Sequence, residues 1–152
     1  FVCILLGSRN TMLILFAAPA LGMEIGFLSE TPHAQIPPTV MVPWFIMVIA
    51  CGVELNFRGF LLGRVVSLSA SAVARVNGKP VVAPVLAVLL SSLVFAFDPF
   101  LVSTFQHLHW IAVWDGLIWG WFWLKTRNLY IPMTAHGMEV IIEYLTIRTV
   151  WL

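Results

Sequence analysis

Residues 39–62 read "TVMVPWFIMVIACGVELNFRGFLL", and the only charges in that run are Glu54 and Arg58. A spanning helix needs about 20 mostly apolar residues, so this stretch directs the chain towards a membrane. Segments of similar character lie at about 11–28, 81–97, 104–124 and 129–147. Soluble domains carry about 25% charged residues. This chain carries 10%, with 61% hydrophobic residues, and 152 residues cannot hide that much apolar surface in water. The expected fold is all-α: a polytopic membrane helix bundle of about five transmembrane helices, one domain over 1–152. The opening "FVCILLG" reads as the tail of a sixth, truncated helix or as a cut signal segment.

The connectors support this map. "SETPHAQIPP" is polar and proline-rich, Asp98-Pro99 stops the third segment, and "KTRN" separates the last two. "RVVSLSASAVARVNGK" is amphipathic and reads as an interfacial helix or a loop. Arg9, Arg64, Arg75, Lys79, Lys125 and Arg127 fall in connectors that five spans place on one side; Glu30, His33 and Asp98 fall on the other. The positive-inside rule makes the first side cytoplasmic, including connectors 63–80 and 125–128. A bacterial cytoplasmic membrane is the expected location and the lipid bilayer the first partner. A net charge of +1 and no basic stripe argue against nucleic acid. Cys3 and Cys51 lack CxxC spacing, so neither a disulfide framework nor a zinc site is indicated.

Ionisable groups at membrane depth are costly and are usually paired or functional. Here the polar residues within the apolar segments are Glu24, Glu54, Asn56, Arg58, Ser91, Ser92, His107, His109, Asp115, His136, Glu139 and Glu143. Glu54 and Arg58 stand at i and i+4, neighbours on a helix face, so mutual neutralisation is the plain reading.

Three stretches, "VELNFRGFLLGR", "LLSSLVFAF" and "DGLIWGWFWLKTRNLYIPMTAHGM", resemble in order the signature regions of the CAAX-protease and bacteriocin-processing (CPBP) family of intramembrane glutamic endopeptidases. The resemblance covers about residues 40–147. It implies a glutamate that activates water near histidine, inside a cavity between helices. The family's first region is Glu-Glu, three residues, then Arg; the second is Phe, three residues, then His; the third is His, three residues, then Asn or Asp. Glu54, Arg58, Phe95 and His136 carry over. Val53, Pro99 and Val140 occupy the remaining polar positions, and none of these side chains can activate water.

These residues support two functions from different classes. One is a catalytically impaired family member acting as an interaction or scaffold subunit beside a membrane-protein partner, with Glu54 and Arg58 kept as a register-fixing ion pair. The other is an active intramembrane endopeptidase using Glu54-activated water on a membrane-embedded or prenylated substrate. In that case His109, in "FQHLH", and Glu139 are the candidate substitutes for the missing groups. No cofactor is expected. A divalent metal on His136, Glu54 and Glu139, or a pigment on His107 or His109, are the alternatives.

Overall fold

The computed structural model describes residues 2–75 and 82–151, which are helical apart from short turns; no strand occurs among them. The all-α expectation is met. Lys79, in the connector expected over 63–80, lies outside the described residues.

Helix α1, Val2–Met12, runs on through a wider turn at Leu13–Ala17 and a closing turn at Ala18–Ala20. It stops where Gly22 takes φ +78°. The Met23 amide then donates to the Ala18 carbonyl at 3.0 Å and the Gly22 amide to Pro19 at 2.9 Å. This pair of bonds closes a helix only when the residue between them tolerates positive φ. The first segment is therefore displaced from the expected 11–28. Arg9 sits inside α1 and not in a connector.

Helix α2, Pro38–Ser69, spans 32 residues, and helical geometry continues to Arg75. The start of the expected amphipathic connector is thus a continuation of α2. Just past Pro43, whose ring lacks an N–H and crowds the carbonyl one turn back, the winding loosens to π-type over Phe45–Val53. It is π-type again over Leu55–Leu62, so Glu54 is flanked on both sides. Helix α3, Val82–Ala96, ends before Asp98 as expected. The Asp98 carboxylate accepts the Phe100 amide at 2.9 Å and caps α4, Pro99–Phe105. Proline suits that first helical position because its missing N–H would have no intrahelical partner.

The expected span at 104–124 is broken. Gln106–Leu108 forms a 3-10 turn, and α5 begins only at Ile111 and runs to Thr126. Gln106 turns the chain at φ 46°, ψ −124°, a conformation side chains rarely adopt, so hydropathy continues here where the helix does not. Helix α6, Tyr130–Trp151, covers the fifth segment. Among the described residues α2 alone is long and apolar enough to cross a membrane. The pair Pro84–Ala96 and Pro99–Leu108, bent by 56°, makes a second if it acts as one span.

The chain divides into two compact units, Phe1–Gly52 with Met133–Leu152, and Val53–Pro132. In the first, Met41, Phe45 and Tyr144 form a buried core with Ile36, Ile49, Val140 and Ile141 against it. Phe45 and Tyr144 meet edge to face at 5.3 Å, and the Tyr144 hydroxyl donates to the Ile36 carbonyl at 2.6 Å. Arg148 Nη1 donates to the Ala34 carbonyl at 2.9 Å, so α6 holds the proline-rich connector by its backbone.

His33 lies in that connector, half-buried, and burial lowers its pKa below the ordinary 6.5. The unfolded chain therefore binds the proton more readily than the folded one. Stability should fall as pH drops through about 6.5 and level off below the lowered folded value. Thermal unfolding in detergent at pH 7.5 and pH 5.5 should show this loss, and His33→Gln should shrink it.

In the second unit, Leu62, Ala87 and Val88 form the buried core. A Cβ on Gly116 would lie 2.6 Å from Ser92 Cβ and 2.7 Å from its Cα, while one on Gly120 would lie 3.1 Å from Val88. Contacts that pair 116 with 92 and 120 with 88 make α3 and α5 antiparallel. Two glycines four apart let the backbones approach this closely, the small-residue packing familiar in membrane bundles.

Candidate functional site

Glu54 and Arg58 are brought together as their spacing predicts. Arg58 Nη1 lies 3.1 Å from Glu54 Oε1, within the unit Val53–Pro132. Their exposures are 0% for Glu54 and 1% for Arg58, so the pair is closed to solvent. The guanidinium carbon sits 4.5 Å from the centre of the Phe95 ring. Phe95 meets Phe57 edge to face at 5.0 Å, and the Ser91 hydroxyl donates to the Phe57 carbonyl at 3.2 Å. Arg58 is thus held by a carboxylate and by the electron-rich face of a ring. Neither Nη1 nor Nη2 makes an aligned hydrogen bond. The contact with Glu54 is one of charge and proximity, without the forked bonds that a guanidinium and a carboxylate can share.

The three positions that depart from the family pattern are filled in ways that suit packing. Val53 is half-buried beside Glu54. Pro99 is exposed at the first turn of α4. Val140 packs against the Met41–Phe45–Tyr144 core. Asn56 is exposed.

His136 and Glu139 belong to the other unit, Phe1–Gly52 with Met133–Leu152, and both are buried. Within that unit the Asn10 amide donates to the Glu139 carboxylate, and Arg9 Nε donates to Asn10 Oδ1 at 2.9 Å. Asn10 is 0% exposed and Glu139 3%. A guanidinium, an amide and a carboxylate therefore form one chain of donors and acceptors, which satisfies buried groups that are costly when unmade. The polar insertion "GSRNT" in α1 was the available signal for this cluster. Its partner lies 129 residues away, so spacing did not reveal it.

His109, a candidate substitute, is half-buried. Its Nδ1 faces the Gln106 carbonyl at 2.5 Å, and its ring meets Phe97 edge to face. His107 is exposed. Among the described residues no group of three or more His, Cys, Asp or Glu side chains is assembled as a metal ligand set.

A family model described as type II CAAX prenyl endopeptidase Rce1-like matches residues 35–142, about the extent of the resemblance drawn from the motifs. Neither a curated protein nor a solved structure matches the chain.

Proposed function

The chain belongs to the type II CAAX prenyl endopeptidase Rce1-like family, an integral membrane family, and on that premise we propose that it is a catalytically impaired member serving as an interaction or scaffold subunit of a membrane complex. The observation that carries this reading is the closure of Glu54. A general base must come within hydrogen-bond reach of the proton it removes. Glu54 is 0% exposed, in contact with Arg58, and Arg58 is in turn covered by Phe95. In such a place a carboxylate fixes one helix conformation, a role that buried ion pairs fill in other systems.

In this reading the bundle sits in a bacterial cytoplasmic membrane, with connectors 63–80 and 125–128 on the cytoplasmic side and α2 as its best-defined span. The competing reading, an endopeptidase that uses Glu54-activated water on a membrane-embedded or prenylated substrate, draws on the presence of Glu54, Arg58 and His136 at family positions. Purification from native membranes in mild detergent separates the two. A stoichiometric membrane-protein partner that survives washing is the expected result. A particle with the mass of this protein alone would contradict the subunit assignment.

A further inference from the structure

One end of the unit Val53–Pro132 carries three exposed cations. Arg64, Lys125 and Arg127 have no carboxylate partner among the described residues. Each lies over an aromatic ring: Arg64 over Phe60 at 5.6 Å, Lys125 over Trp121 at 4.8 Å and Arg127 over Trp123 at 4.9 Å. The three stand together because the region around Gly63 packs on the end of α5. A Cβ on Gly63 would be 3.6 Å from the tip of the Trp123 ring, and one on Gly59 would be 3.4 Å from Leu129. Gly63, the residue before Arg64, therefore borders the ring on which Arg127 rests.

The turn itself is firmly built. The Arg127 amide donates to the Trp123 carbonyl at 2.8 Å, Thr126 Oγ1 accepts the Asn128 amide at 3.2 Å, and Asn128 Oδ1 accepts the Tyr130 amide at 3.0 Å. Carboxylates of the same unit are elsewhere. Glu54 contacts Arg58, Asp98 caps α4 at the far end of antiparallel α3, and Asp115 lies nearer the start of α5, about 15 Å along its axis from Lys125. Uncompensated positive charge thus sits at the level of the exposed Phe60 and Trp121 rings. That pairing of apolar face and cation matches the layer where lipid acyl chains meet phosphates. An acidic soluble polypeptide would satisfy the cations and leave the rings in water.

We propose that Arg64, Lys125 and Arg127 form a rim that binds the phosphate of an anionic phospholipid, with Phe60, Trp121 and Trp123 as its floor. The rim rests on the membrane assignment and is independent of whether Glu54 is catalytic. A cation near an anionic lipid surface contributes roughly a fivefold change in binding, so three together predict a preference on the order of tenfold or more.

Native mass spectrometry of the full-length protein in detergent, offered equal phosphatidylglycerol and phosphatidylcholine, tests this. The wild type should take up phosphatidylglycerol preferentially, and R64Q/K125Q/R127Q should bring the two lipids close to parity. R64K/R127K should keep the preference, because charge and not guanidinium geometry is required. In the wild type the preference should shrink with added salt, a readout that does not depend on any variant folding. Parity in the wild type, an undiminished preference in the triple glutamine variant, or insensitivity to salt would overturn the rim. A wild type that binds neither lipid and stays dispersed without detergent would overturn the membrane assignment with it.

Discussion

Gly116→Val should be the most damaging glycine substitution in the unit Val53–Pro132, costing about 3 kcal/mol or more, the upper end of what overpacking costs. Even a single Cβ at 116 would stand 2.6–2.7 Å from Ser92 Cβ, Cα and Oγ, and one of those atoms is backbone. No rotamer change relieves that contact, so α3 and α5 must move apart and loosen the Leu62, Ala87 and Val88 core. Gly116→Ala should rank next at about 1–3 kcal/mol. Ser92→Gly should rescue Gly116→Ala only in part, because it removes the side-chain clash and leaves the Cα. Gly52→Ala is the matched control: its Cβ would meet nothing within 4 Å, and alanine favours helix over glycine. Thermal unfolding of the purified variants in one detergent checks the order, with Gly116→Val lowest and Gly52→Ala at or above the wild type.

Arg58→Met should destabilise the chain by about 3–5 kcal/mol, the cost of removing one member of a buried ion pair. Glu54 has no exposure with which to recover the lost charge from water. Glu54→Gln with Arg58→Met should be far milder, because a neutral amide and a thioether can fill the same space without an uncompensated charge. The Phe95 face that Arg58 covers suits a methionine sulfur as well. A double-mutant cycle measured by unfolding should give a coupling of the order of the single-variant loss. Equal and additive losses would mean that the 3.1 Å contact carries no stability.

The features visible in the sequence were those set by local spacing. Apolar runs of spanning length pointed to the all-α architecture, the i to i+4 offset put Arg58 on Glu54, and Asp98-Pro99 marked the end of α3. The hidden features depended on backbone geometry inside apolar sequence, or on partners distant in the chain. The aromatic run around 104–124 is continuous in hydropathy, yet the helix breaks at Gln106. Gly22 shifts the first helix because a left-handed closing residue, not apolarity, sets its end. Asn10 reaches Glu139 across most of the chain, and α1 holds both Arg9 and Asn10 where a connector charge was expected. The Gly116 and Gly120 pair shows its purpose only once α3 lies against it.

Incubation of the detergent-purified wild type and Glu54→Gln proteins with a prenylated CAAX-type peptide, with the products resolved by mass, bears most directly on the closed Glu54–Arg58 pair. No cleavage product from either protein, with both folded by thermal unfolding, is the predicted result. Cleavage by the wild type that disappears in Glu54→Gln would contradict it, and would make Glu54 the working base of an active endopeptidase.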